Sequence, residues 1–431
     1  MHIHRRPRSS QRGTATLAVA LVLLAAATLA VAYSSLGLLT EQRQAGNQMR
    51  STQAFEAAEA GLEWALAMLG QAEAIDTDCA PSPAATTTWR DRALQFDDAT
   101  GRFVPRTAAR GGAEAALRMA CIAADDGGWA CHCPVDGVPW TPPFAPDEAA
   151  ARPAFSVRFA TGLRAGTVQL LAVGCDHWGP ACLDGDAMAA AGPARALSRV
   201  QVTLALVPAL ATPPAAALTA RGAVTVGGTP AFVGADPAAG GLAVHAGGAA
   251  RLPRGAAIGV PGSPSGAAVI ERDASLGALD GEALFATTFG LDRARWRQQP
   301  GLRTLHCDTP CDDALVALTR HGAASAVVRI DGDLRLDGPA TIGSAAHPVL
   351  LVVDGAVHLG AGVTVHGVVY VAAPTWNAAG SNSATLHGAL LAEGSVAGDG
   401  APSVVRDAAV LDRLHRQVGT LTRVPGSWRD F

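Results

Sequence analysis

Three hydrophobic textures follow one another along the chain. The first is an unbroken uncharged run, TATLAVALVLLAAATLAVAYSSLGLL, over Thr14–Leu39. At about 1.5 Å per residue, a helix of that length exceeds the roughly 30 Å of bilayer hydrocarbon. Beyond Glu41 the pattern becomes periodic. Phe55, Ala58, Leu62, Leu66 and Leu69 recur at spacings of three and four, which gives one apolar helix face. No proline interrupts Thr14–Leu69, and Gly70 offers a stop. The two patterns therefore predict a single helix over residues 14–70, with 14–39 in the membrane and the rest in water.

The second texture is strand-like. FSVRF, TVQLLAV and LSRVQVTLAL, within Phe155–Val207, alternate or cluster apolar residues over strand lengths between Gly-rich and Pro-rich turns. They predict a small antiparallel sheet in a head spanning residues 71–210. Within that head, one helix is expected around Ala113–Ala123 and an extended loop over Val138–Pro153. Trp129 and Trp140 are read as covers for a disulfide, with exposed contact residues as the alternative.

Pro208, Pro213 and Pro214 mark a boundary, and the third texture begins. Across residues 211–403, short runs such as VVRI, VLLVV, TVHGVVYV and LHGALLA supply Val, Ile and Leu, while Gly and Asp make corners. AVTVGG (Ala223–Gly228) is echoed by LAVHAGG (Leu242–Gly248), and RLDGPATIGS (Arg335–Ser344) by HLGAGVTVHG (His358–Gly367). These intervals are about twenty residues, the length of one solenoid coil. A β-solenoid of the parallel β-helix type is expected, with a β-sandwich as the alternative. Residues 274–322 break the repeat with two helical patterns around Cys307 and Cys311, read as an insertion or cap. Residues 404–431 predict a helix and an extended tail. That tail caps the last open coil or, alternatively, offers Arg423, Trp428, Arg429 and Phe431 as a docking surface. The fold class is α+β.

Charge sets the orientation. The leader, residues 1–13, carries Arg5, Arg6, Arg8 and Arg12. A positive flank stays in the cytoplasm, so everything after the apolar run lies outside it. A cleaved secretory signal and a plain single-pass anchor are the competing readings. All eight cysteines, Cys79, Cys121, Cys131, Cys133, Cys175, Cys182, Cys307 and Cys311, follow the helix. An even number in that compartment reads as disulfides. Cys175–Cys182 and Cys307–Cys311 are candidate local pairs, the other four pairing among themselves, with Cys131 and Cys133 taking separate partners. The sharper reading of CHC as a zinc site with His132 lacks the usual ligand spacing.

The net charge of −4, with no basic run outside the leader, argues against a broad nucleic-acid footprint. Catalysis finds no support in the residues. Asp331, Asp333, Asp337 and Asp354 are the best carboxylate set, yet Asp-Gly is expected at turns for local reasons. DGDLRLDG lacks the ligand alternation and closing Glu of a calcium loop, and His245, His347, His358, His366 and His387 are scattered singly. No nucleophile elbow, phosphate-binding loop or dinucleotide fingerprint is present. No catalytic residue, metal site or cofactor is expected.

One motif carries a resemblance. Arg12, Gly13, the apolar run, then Glu41, Gln42, Arg43, Ala45, Gly46, Asn47, Arg50, Gln53, Ala54, Phe55 and the AAEAGL of Ala57–Leu62 together resemble the N-terminal domain of PilX-family type IV pilus minor pilins. The likeness covers about the first seventy residues. It implies cleavage after Gly13 by a prepilin peptidase and N-methylation of Thr14. Most pilins carry Phe at that first position and Glu at the fifth; this chain has Thr14 and Ala18. In the usual pattern the carboxylate pairs with the N-terminal ammonium of a neighbouring subunit, and a buried charge needs such a partner. A subunit lacking it suits a place at or near the filament tip. Ala18, Phe55, Leu62 and Leu66 are the expected helix-packing residues. The implied partners are other minor pilins, the major pilin and the peptidase. The implied location is the bacterial inner membrane with a periplasmic C-terminus, then the pilus. An adhesin module for a surface or glycan at the tip, and a type II secretion pseudopilin, are the alternatives.

Overall fold

A computed structural model describes residues 12–110, 113–135, 140–149, 152–179, 182, 196–234, 241–254, 256–259, 268–307, 310–320, 326–372, 376–377, 384–398 and 400–430. Helix α1, Arg12–Gly70, is 59 residues long, about 88 Å. Its two halves live in different surroundings. Ala15–Tyr33 and Thr40–Thr52 are exposed, whereas Ala54, Ala57, Ala58, Leu62, Ala65, Met68 and Leu69 are buried. The buried face is rich in alanine, so the helix axis lies close to what it covers.

That cover is an antiparallel sheet. Its strands are β1 (Met119–Ala123), β2 (Trp129–His132), β3 (Ala154–Thr161), β4 (Thr167–Cys175) and β5 (Leu197–Pro208), ordered β5-β4-β3-β1-β2. In β5, Val200, Val202 and Leu204 alternate inward, and Phe155, Val157, Phe159, Val168 and Leu170 meet them under α1. Gly174 on β4 marks the closest approach. A Cβ there would stand 2.1 Å from the Ala54 carbonyl oxygen and 2.1 Å from the Ala58 nitrogen. The short helix α2, Trp89–Ala93, sits beside α1 with Thr88 as its N-cap, and Trp89 is fully buried.

Ala113–Ala123 is not the expected helix. Ala113–Ala116 pairs with Thr107–Arg110, and Met119–Ala123 is β1. The reason is coverage on both faces. Met119 and Cys121 face the cluster under α1, while Ile122 joins Ala149, Ala154 and Val173 on the other side. A strand buried on two faces reads as a continuous apolar run, and tertiary packing overrides the helical preference of alanine.

From Leu218 onward the pairing turns parallel. The strands that set the path are β6 (Leu218–Ala220), β7 (Ala231–Gly234), β8 (Val244–Ala246), β9 (Leu302–His306), β10 (Val327–Asp331), β11 (Val349–Val353), β12 (Thr364–Val371), β13 (Thr385–Ala392) and β14 (Ser403–Arg406). The stacking order is not the chain order. β9 pairs β10, β10 pairs β11, β11 pairs β12 and β12 pairs β13. Then β13 pairs β6, which pairs β8, which pairs Val269–Ile270. The chain thus enters mid-stack at β6, runs out to one end, crosses to the other through residues 274–301, and works back until β13 and β14 lie against β6 and β7.

Gly367 and Gly388 sit at stacked corners with φ of 156° and 143°. A Cβ at Gly367 would lie 1.8 Å from the Val349 oxygen, and one at Gly388 the same distance from the Gly367 oxygen. Only glycine fits there.

The echo of RLDGPATIGS in HLGAGVTVHG is a true register: Arg335 pairs His358 and Thr341 pairs Thr364. The echo of AVTVGG in LAVHAGG is not. Val244 pairs Leu218, and Val224 pairs Ala250. Both segments share Val and Gly for packing and corners, and that composition misaligned them.

The segment 274–322, of which 308–309 and 321–322 lie outside the described residues, is a strap in its first half and closes one end of the stack in its second. Helices α3 (Ala274–Ala278), α4 (Gly281–Phe289) and α5 (Arg293–Trp296) lay Phe285, Phe289 and Trp296 against Leu350, Val352, Val368, Tyr370 and Leu391. The opposite faces of the same strands, through Leu351, Val353, Val369 and Leu390, fill the stack interior. That double burial is why VLLVV and GVVYV are apolar throughout. Tyr370 donates to Glu393 at 2.8 Å; Glu393 also pairs Arg293, whose guanidinium lies 4.3 Å from the Phe285 ring centroid. After β9, helix α6 (Asp312–Arg320) places Leu315 in the interior at that end of the stack.

The tail does not cap the last strand of the stack. Helix α7 (Ala408–Arg416) packs Val410, Leu411 and Leu414 beside the strap; then β15 (Gly419–Arg423) and β16 (Arg429–Asp430) pair antiparallel with β5 of the head. The long β5 edge is thereby covered, which satisfies backbone groups that would stand open. Phe431 lies outside the described residues.

Candidate functional site: the N-terminal helix

The candidate site is the surface that α1 leaves free. Ala15–Tyr33 is long and apolar enough to cross a membrane, with mean hydropathy 2.5 and none of it buried. Arg12, Gly13 and Thr14 open α1, and Ala18 is exposed on its apolar stretch. Leu62 is fully buried against the head, and Leu66 is half-buried there. Of the four expected packing residues, Ala18 and Phe55 therefore remain accessible, Phe55 at 37% exposure.

Phe55 has a neighbour that sequence reasoning missed. The edge of its ring meets Trp428 at a centroid distance of 6.4 Å. Trp428 Nε1 donates to Glu59 at 2.9 Å, and the Arg423 guanidinium pairs with Glu63. The closing segment thus clasps α1 from Phe55 to Glu63, over about the first two turns that reach the head. No local signal could have placed it, because its partners lie at the other end of the chain. The clasp fixes the direction in which the bare half of α1 leaves the sheet.

The head is stapled near the same place. Cys79 pairs with Cys133 and Cys121 with Cys131; Cys175 pairs with Cys182, and Cys307 with Cys311 in the strap. Cys131 and Cys133 are therefore not thiolates for zinc. Trp129 packs on Phe155 at 4.6 Å and Trp140 stacks on His132 at 5.6 Å.

The aspartates of the stack are bound internally. Arg329 bridges Asp331 and Asp354, Arg335 holds Asp337 at 2.8 Å, and Asp333 accepts from the Ala356 amide at 2.7 Å. They do not converge on an open site, and no group of three potential metal-ligating residues forms among the described residues. His366 and His387 stack with centroids 4.8 Å apart, and burial, with His387 alongside, holds His366 below its usual pKa.

No curated protein matches the chain. Among solved structures, the competence-associated pilin ComZ from Thermus thermophilus aligns at 12% identity over 89% of this chain and 97% of that one, with a TM-score of 0.22. A likeness that loose carries no weight for the fold or the function. The PilX N-terminal family matches residues 12–63, from the last residues before the apolar run to the turn where α1 is clasped. Over that span the chain is similar to the PilX N-terminal family.

Proposed function

We propose that this chain is a minor pilin of a type IV pilus, cleaved after Gly13, N-methylated at Thr14, and placed at or near the filament tip to prime or cap assembly. The observation that carries this reading is the PilX N-terminal match over residues 12–63, on a helix whose membrane-length first half is bare and whose second half is held by its own head. Subunits of this kind associate through such bare helices, and Ala18 and Phe55 are the available contact residues. The absence of an acid at Ala18 removes the need for a charge partner in a filament core, which suits a terminal position. The parallel stack, with strands in register through successive turns of chain, is read as a β-solenoid displayed outside the membrane. Its bulk beside the head disfavours close repetition along a shaft.

Mass spectrometry of the chain recovered from membranes is the test. The expected species begins at a methylated Thr14. An intact leader, or an N-terminus near Ala32, would overturn the reading. A gene deletion is expected to reduce piliation, and Ala18→Glu to shift the protein from sparse to frequent incorporation.

A further inference from the structure

The head, the strap and α7 do not close fully on one another. A cleft of about 350 Å³ remains between them, at the small end of the range in which small molecules bind. Its walls come from α2 and the adjoining hairpin, from the start of β9, from the residues before β11, and from α7.

The charge in it is uneven. Arg90, Arg106 and Arg413 all line the cleft. Arg90 donates to the Gly419 and Gln417 carbonyls at 2.7 and 2.6 Å, and lies 5.0 Å from the Phe103 ring centroid. The Arg106 Nε donates to the Asp91 carbonyl at 2.5 Å. Arg413 reaches the Ala346 carbonyl at 3.3 Å. These guanidiniums hydrogen-bond backbone oxygens, and Arg90 and Arg106 also act on the Asp91 carboxylate as nearby positive charges, opposing the effect of its burial. Among the described residues, Arg106 and Arg413 each keep further N–H groups without a hydrogen-bond partner.

The acids offset this only in part. The Asp91 carboxylate accepts from Thr88 at 2.8 Å as part of the helix cap, and burial pushes its pKa up. Asp98, on the rim, accepts from Gln417 at 2.8 Å. His347 faces Asp91 from the stack side. Phe96 and Leu302 supply an apolar wall.

We propose that this cleft binds a small soluble anion of carboxylate or phosphate chemistry, its charged end held by Arg106 and Arg413 and its apolar side resting on Phe96 and Leu302. Charge-assisted bonds from guanidinium forks are the strong contacts for such groups. A lipid headgroup is not the source, because α1 ends at Gly70, about 55 Å beyond Tyr33 along the helix. The proposal is independent of filament assembly.

Calorimetric titration of the full-length chain in detergent with citrate, inorganic phosphate and phenyl phosphate tests it. At least one is expected to bind one-to-one with a Kd below about 1 mM. Arg413→Gln is expected to weaken that binding about tenfold or more. Ala346→Trp, at an exposed position lining the cleft, is expected to abolish it by filling the space, without lowering the unfolding midpoint of the unliganded chain. Arg106→Gln repeats the charge test if it folds; the other two variants carry the result if it does not. The proposal is overturned if none of the anions binds by about 10 mM, or if binding persists unchanged in Arg413→Gln and Ala346→Trp.

Discussion

Single residues decide how closely the helix and sheet meet. Gly174 has the Ala54 carbonyl oxygen and the Ala58 amide where its Cβ would be, both at 2.1 Å. Neither is the end of a flexible side chain; both belong to the rigid backbone of α1. Gly174→Ala must therefore push the helix off the sheet or bend β4, at a cost near the upper end of overpacking, about 3 kcal/mol. Gly46, on the bare half of the same helix, has nothing within 4 Å. Gly46→Ala therefore serves as the control, gaining up to about 1 kcal/mol of helix propensity. Denaturant unfolding of the two variants in detergent measures the contrast. Equal midpoints would mean that α1 does not rest on β4 as described. Phe55 and Trp428 show the complementary case, two exposed aromatics from opposite ends of the chain that meet edge to face.

At the scale of elements, local pattern was legible wherever one face or both faces of an element had a uniform environment. The bare apolar run, the alternating β5 and the doubly buried β11 and β12 all announce themselves. Ala113–Ala123 did not, because alanine and methionine favour a helix and only the packing around Cys121 and Ile122 decides for a strand. LAVHAGG misled because Val and Gly recur in the corners and strands alike. The candidate site was legible as a motif, Arg12 through Leu62, but not as a surface: the periodicity puts Leu62 and Leu66 on one apolar face, and only the structure shows how far the head covers it. Arg423 and Trp428 stood out in the tail as docking candidates, but nothing in either segment alone names Glu63 and Glu59 of α1 as their partners. The disulfides bear on the same head. Cys79–Cys133 closes a separation of 54 residues and Cys175–Cys182 one of 7. On loop-closure entropy, replacing the first pair with serine costs about 4 kcal/mol and the second about 2 kcal/mol. Non-reducing unfolding of the two double-serine variants compares them; a larger loss from the short loop would show that native packing, not chain entropy, sets their contribution.

At the scale of the whole molecule, the parallel stack is closed by a seam between distant parts of the chain. Leu218 lies beside Leu390, Val224 beside Val396 and Phe232 beside Val404. The strands from β6 out to Val269–Ile270 are continuous in sequence, yet their inner neighbours are the last strands of the stack to be made. Short strands of two to four residues, rich in Ala and Gly, bury little on their own. A terminal pair of turns without a neighbour lacks the interface on which repeat arrays depend. Residues 218–270 should therefore fold only after β13 and β14 are in place, which makes the stack a slow, non-local assembly. A chain ending after Ala372 keeps every residue of 218–270 but removes that neighbour, and also the tail that clasps α1. Val424→Pro in the full-length chain, just beyond β15, separates the two effects, since Val424 donates to Thr203 and not to the stack. Hydrogen exchange should show protection of Leu218–Ala220 and Val244–Ala246 lost in the truncated chain and retained in Val424→Pro, where only β5 and the clasped turn of α1 loosen. If Val244–Ala246 stayed protected in the truncated chain, the outward strands would be a self-sufficient unit, and the seam would be a contact between two finished bodies and not the step that completes one.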